Sequence, residues 1–245
     1  MNKEFCLFQV DKKRAIWEVT RFCNYKCKHC CALAEKISTE NELKYEDFAR
    51  NLDEMKEYGI EEIYFSGGEP FSRKDILQIL RKARENNINC NISTNGSLIT
   101  ENIAKELKNL NINKVHISLD HYIPEKFNYF RGGNYFDSTI RGIKLLKAND
   151  IYVRIGVVIW KENVDEIEEM IKYLTTLNVN EVCFNWLIKV GRLTENEDVC
   201  VPLARFDDIT LNLQNLMKKY ANQIKISMHR SCKFEHSNLV CPGRR

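Results

Sequence analysis

Proline is scarce in this sequence, and so is any long apolar run. Four prolines and ten glycines among 245 residues exclude a linker-rich or disordered chain. No stretch approaches the roughly 18 consecutive apolar residues that a membrane-spanning helix needs, so no membrane partner is expected. The start, Met1-Asn2-Lys3-Glu4-Phe5, runs on to Asp11, Lys12, Lys13 and Arg14 without a signal-peptide core, which reads as a cytoplasmic protein. An excess of one charge is missing too. The 37 Lys and Arg against 34 Asp and Glu leave +3, too balanced to expect nucleic acid as a partner. With 44% hydrophobic residues the chain can build a sizeable core, and its length suits one large domain.

Cysteine, by contrast, is plentiful. Ten occur, fewer than a small disulfide scaffold carries. Without a secretory signal they read as thiols, metal ligands or catalytic groups. Four of them, Cys23, Cys27, Cys30 and Cys31, crowd into nine residues.

Strands and helices alternate along the chain. Arg14–Thr20 reads as a strand running into the cysteines. Phe48, Leu52 and Met55 at helical spacing mark a helix over Lys44–Tyr58, with Gly59 as its stop. Glu62–Phe65, Asn89–Ser93, Lys114–Leu119, Tyr152–Ile159 and Glu181–Leu187 read as further strands, with helices around Leu80, Leu107, Ile143 and Met170 between them. A helix near Phe206–Tyr220 and a short apolar stretch at Ile224–Met228 follow. Six βα units imply an α/β fold, a parallel sheet with outer helices, either doubly wound or curved into a barrel. Ligand groups gather at the carboxyl ends of such strands. The cysteine cluster, Gly67-Gly68-Glu69-Pro70, Thr94-Asn95-Gly96 and Asp120 all fall there.

Three thiolates at i, i+4 and i+7 in one loop can wrap a compact metal cluster. Structural zinc wants four protein ligands, and the candidates for a fourth, His29 and Cys31, both abut Cys30. A glycine pair at a strand end lets backbone approach a ligand, and the carboxylate of Glu69 beside it can hold an ammonium group. An ordinary tight turn before a helix is the plainer alternative, with Pro70 near its first position.

CNYKCKHC (23–30) resembles the CxxxCxxC motif of the radical S-adenosylmethionine (radical SAM) superfamily, and SGGEP (66–70) resembles its GGE motif. The likeness covers about residues 14–190. It implies a partial TIM barrel, (β/α)6, and a chemistry: reductive cleavage of S-adenosylmethionine at a [4Fe-4S] cluster, giving a 5′-deoxyadenosyl radical that abstracts hydrogen from substrate. By resemblance, Cys23, Cys27 and Cys30 are the metal ligands. Gly67, Gly68 and Glu69 meet the cofactor's amine, while Ser93, Asn95, Ser118 and Asp120 lie at strand ends near the cofactor. Arg131, in FRGG, resembles an arginine that pairs with the methionine carboxylate. For Ser93 and Ser118 the alternative is strand-end hydrogen bonding, and for Arg131 a surface ion pair. His29 takes a position where an aromatic packs near adenine, or else fills space. Val157 and Asn163 resemble the region flanking adenine.

Cys31, Cys90 and Cys183 read as small buried hydrophobes, with Cys183, on the last barrel strand, also a candidate hydrogen donor. Gly191-Arg192 resembles the pair that closes the barrel in members with a SPASM extension, and Cys232 and Cys241 resemble the opening of that extension. The sequence stops at Arg245, before further cysteines could complete an auxiliary cluster. The expected division is an N-terminal segment 1–13, a core 14–200 and a C-terminal part 201–245. By resemblance the substrate is a peptide or a small molecule such as a sugar or nucleoside derivative. The electron donor is expected to be a flavodoxin or ferredoxin. A zinc- or cluster-binding regulatory module and a simple electron carrier are the readings from other classes.

Overall fold

The structure is a computed structural model that describes residues 7–11 and 13–228. One sheet of eight strands organises it, with the strands adjacent in chain order. Strand β1 (Leu7–Asp11) is antiparallel to β2 (Arg14–Thr20). From β2 onward every pairing is parallel, through β3 (Glu62–Gly67), β4 (Asn89–Thr94), β5 (Lys114–Ser118), β6 (Val153–Ile159), β7 (Glu181–Trp186) and β8 (Lys225–Met228). Helices α1 (Tyr45–Glu57), α2 (Ile76–Glu85) and α3 (Glu101–Asn109) follow β2, β3 and β4 in turn. Both α4 (Pro124–Arg131) and α5 (Phe136–Ala148) follow β5, then α6 (Ile167–Thr176) follows β6 and α7 (Phe206–Lys219) follows β7. Strand, helix, parallel strand repeated in this order is the partial TIM-barrel arrangement expected from the sequence.

The sheet is larger than the six strands read from the sequence. The segment 1–13 contributes β1, and the apolar stretch at Ile224–Met228 becomes β8, a seventh parallel strand. The sheet thus runs through both expected boundaries, 13/14 and 200/201. Helix α4 was also missed, although its signals are present: Pro124 opens it, and Gly132 closes it in the left-handed conformation at φ 80°. Among the described residues no helix is long and apolar enough to cross a membrane. Cys232 and Cys241 lie outside the described residues.

Alternation along each strand sorts the side chains. On one face Ile63, Phe65, Cys90, Ile92, Val115, Ile117, Val153, Ile155, Val182 and Phe184 are buried in a single apolar cluster with the helices. Leu52, Leu80, Leu107, Ile143, Ile171 and Leu213 are among the helix residues that meet them. The other face differs in kind. Ser93, His116, Arg154, Glu181 and Lys225 are register partners in one row across β4 to β8. Ser118, Gly156, Cys183 and Ser227 form the next row towards the strand ends. A packed barrel interior is filled with branched aliphatic side chains; this one is lined with polar groups.

Candidate active site

The loop that carries the cysteines takes its shape from distant parts of the chain. Cys23 and Cys27 are buried, Cys30 is half-buried and Cys31 is exposed. Arg192 is the strongest tie. Its backbone N–H donates to Cys30 O at 3.0 Å, Nη1 to Cys27 O at 2.9 Å and Nη2 to Ala34 O at 2.9 Å. Lys28 N donates to Phe130 O at 3.1 Å, which fastens the loop to α4. The Tyr25 ring stacks on Tyr135 with centroids 3.7 Å apart, and its hydroxyl lies 3.0 Å from Thr139 Oγ1. The pair Gly191-Arg192, read from the sequence as a barrel-closing motif, is therefore a clamp on the cysteine loop.

Gly67 and Gly68 allow a close approach of backbone to backbone. Gly68 N donates to Thr20 O at 2.7 Å and Glu69 N to Phe22 O at 2.8 Å. A Cβ at Gly67, which has φ 116°, would lie 2.4 Å from Thr20 O, and one at Gly68 would lie 2.0 Å from Phe22 O. The turn is thereby pressed against the backbone just ahead of Cys23.

The Glu69 carboxylate is part of the same framework. It is fully buried and accepts from Thr94 Oγ1 at 2.7 Å, Asn95 N at 2.8 Å and Phe71 N at 3.1 Å. It bolts the end of β3 to the end of β4. Burial pushes it up to about 7, with those three donors opposing the shift. Asn95 extends the framework, since its Nδ2 donates to Asn24 Oδ1 at 2.8 Å and its Oδ1 accepts from Ser97 N at 2.9 Å.

Arg131 is not a surface residue. It is 6% exposed and reaches both Asp120, Nη2 to Oδ2 at 2.5 Å, and Cys27, Nη1 to Sγ at 3.6 Å. Its Nε is buried without a hydrogen-bond partner. Asp120 also accepts from Val158 N at 2.8 Å, and Asn163 Nδ2 donates to both Asp120 O and Val158 O at 2.7 Å. Asn163 is thus a staple between β5 and β6. Val157 faces the helices and is buried in the apolar cluster, so its side chain takes no part in the site; strand alternation decides this. Ser93 and Ser118 are half-buried on the polar face.

His29 stacks on Phe130 at 4.3 Å, and Phe130 on Trp160 at 4.4 Å. Burial holds that imidazole neutral, well below its ordinary range. Cys90 is in the apolar cluster, Cys183 is buried on the polar face, and Cys31 departs from expectation by being exposed.

Among the described residues no three His, Cys, Asp or Glu side chains converge on a single metal-ion position. Three thiols wrapped on one loop suit a larger iron–sulfur cluster. The donors near them fit as well: Tyr25 N–H points to Cys23 Sγ at 3.4 Å and Arg131 to Cys27, and hydrogen bonds to cluster sulfurs tune such centres. Burial pushes the Cys23 thiol up to about 11 and raises that of Cys27, where Arg131 opposes it. Metal binding at this loop would therefore release protons.

Comparison with known proteins agrees with this geometry. The Radical SAM superfamily profile matches residues 17–174. The chain belongs to that superfamily. An Fe-coproporphyrin III synthase from Methanosarcina barkeri is 38% identical over 202 residues, covering 81% of this chain and 50% of that protein. A probable GTP 3′,8-cyclase from Pyrococcus horikoshii is 30% identical over 223 residues, covering 88% of this chain and 68% of that protein. The structure of Streptococcus suis SuiB bound to S-adenosylmethionine has a TM-score of 0.76 at 18% identity, covering 92% of this chain and 53% of that one. This radical SAM chain spans about half the length of the first of these relatives.

Two outcomes separate framework from cofactor roles. Glu69→Ala leaves three buried donors unpaired and should cost about 1–3 kcal/mol; the thermal midpoint of the metal-free chain should fall accordingly. An unchanged midpoint would remove Glu69 from the framework. Arg192→Met should open the loop, so that limited proteolysis cuts within residues 21–44 and iron loading drops. Wild-type protection and loading would show that the clamp is dispensable.

Proposed function

We propose that this chain is the core of an enzyme that starts radical chemistry on a small organic molecule. Cys23, Cys27 and Cys30 would hold a [4Fe-4S] cluster. S-adenosylmethionine would bind at the adjoining strand ends, among Gly67, Gly68, Glu69, Ser93, Asn95, Ser118, Asp120 and Arg131. When bound, the pair supplies the one-electron chemistry that breaks a substrate carbon–hydrogen bond. The one observation that carries this reading is the latched loop itself, three thiols held at the carboxyl end of a parallel sheet by Arg131 and Arg192.

The protein's own groups do the rest. Arg192 fixes the loop backbone, so the thiols are in place before metal arrives. Arg131 sets a positive charge against Cys27 and presents its unpaired Nε beside it. Glu69 shapes the turn, and its Oε2, which accepts only from Asn95 N, keeps acceptor capacity for a cofactor amine. The stacked Tyr25 and Tyr135 pack the loop against α5. An external electron donor of the flavodoxin or ferredoxin kind would reduce the centre.

Support for a small-molecule substrate comes from the relatives named for tetrapyrrole and nucleotide chemistry, at 30–38% identity. SuiB, solved with its precursor peptide, shares 19% identity and so supports the fold alone. The peptide expectation therefore gives way to the second class named from the sequence.

Anaerobic reconstitution with iron and sulfide, followed by dithionite and S-adenosylmethionine, tests the reading. The wild-type chain should form 5′-deoxyadenosine and Cys27→Ala should not. A loaded cluster with no 5′-deoxyadenosine would contradict it, and so would equal product from the variant.

A further inference from the structure

The polar row on the inner face carries an unbalanced charge. Glu181 is 3% exposed and meets three cations: Arg154 Nε at 3.2 Å, Lys114 Nζ at 3.3 Å and Lys225 Nζ at 3.5 Å. The Tyr152 and Ser227 hydroxyls also donate to it, each at 3.1 Å. One carboxylate against three cations leaves a surplus of two positive charges between β5 and β8.

The other carboxylates of this face do not offset it. Glu62 is taken by Arg14 at 2.9 Å, and Asp120 by Arg131. Glu18 lies across the sheet on β2, in register with Ser66. Two of the three cations are partly desolvated, with Arg154 20% and Lys114 26% exposed, while Lys225 is 65% exposed. Unmatched charge in such a place is costly unless a ligand matches it. Arg154 Nε is buried against Glu181 without an aligned hydrogen bond, and Nη2 donates to Ser227 Oγ at 3.4 Å.

His116 completes the arrangement. Its imidazole lies over Gly156, where a Cβ would come within 2.3 Å of Nε2; residue 156 is bare because the ring occupies the space. Burial lowers His116 to about 4, and Arg154, Lys114 and Arg131 add to the shift against Glu181. The ring stays neutral at physiological pH, with one donor and one acceptor nitrogen.

We infer that Arg154 and Lys114, with His116 beside them, seat an anionic group of the substrate, a carboxylate or a phosphate. The inference rests on the small-molecule reading above and adds the chemistry of the substrate to it. At about 3.3 Å per residue, the four residues from His116 to Asp120 on adjoining backbone place this seat about 13 Å below the strand ends that carry the cysteine loop. The substrate is therefore long enough to anchor its anion at Arg154 and present a carbon–hydrogen bond near Arg131.

Equilibrium binding to the anaerobically reconstituted full chain tests this with two probe pairs. Coproporphyrin III is compared with its tetramethyl ester, and GTP with guanosine. In one pair the charged probe should bind at least about tenfold more tightly than its neutral partner, and the preference should shrink with added salt. Preference in the porphyrin pair assigns a carboxylate, and in the nucleotide pair a phosphate. Arg154→Gln should remove that preference. If it does not fold, Lys114→Gln, on the more exposed side chain, carries the same expectation. No charge preference in either pair overturns the inference, as does wild-type preference in a folded variant. The same preparation, assayed for 5′-deoxyadenosine, separates the two claims. Product without charge preference sinks the anion seat alone, and preference without product sinks the radical reading alone.

Discussion

Three hydrogen bonds from Arg192 to the carbonyls of Cys27, Cys30 and Ala34 set the shape on which the rest of the site depends. The cysteine loop has no helix or strand to satisfy its backbone, so its polar groups must find partners elsewhere. They find them more than 150 residues further along the chain, where β7 has already brought residue 192 to the same rim. Arg131 adds a second tie from α4, and the Gly67-Gly68 turn supplies a third from β3. The loop is thus held on three sides.

The sheet supports this by giving its two faces different tasks. The helix side is apolar and holds the fold together. The inner side is polar, and its groups are tied down by a few ion contacts around Glu181 and Glu62. The rim between them is built from buried polar side chains, the acceptors Glu69 and Asp120 and the amides Asn95 and Asn163, which donate from Nδ2. Each joins the end of one strand to its neighbour or to the loop. Strand ends that are cross-linked in this way give a cofactor a rigid floor.

Much of this was legible in the sequence, and for identifiable reasons. The cysteine spacing and SGGEP are local signals, and both fall at strand ends as expected. The strands were found because their outward residues are β-branched and aromatic. Local reading failed where the answer lay across the sheet. Nothing near Glu69 says that Thr94 and Asn95 will hydrogen-bond its carboxylate, and nothing near Arg131 says that Asp120 will pair with it. Val157 was misplaced because neighbouring strand residues point to opposite faces. The inner row escaped notice because His116, Arg154 and Glu181 interrupt apolar runs and look like ordinary exposed strand positions. β1 and α4 were missed as short elements outside the repeating βα pattern.

The central claim is that the latched loop binds an iron–sulfur cluster with a position open to S-adenosylmethionine. Electron paramagnetic resonance of the dithionite-reduced, reconstituted chain tests it most directly, combined with iron and sulfide analysis. The account predicts about four irons and four sulfides per chain, with a cubane signal that shifts when S-adenosylmethionine is added. One tightly bound zinc per chain would contradict it, as would a cluster signal that the cofactor leaves unchanged.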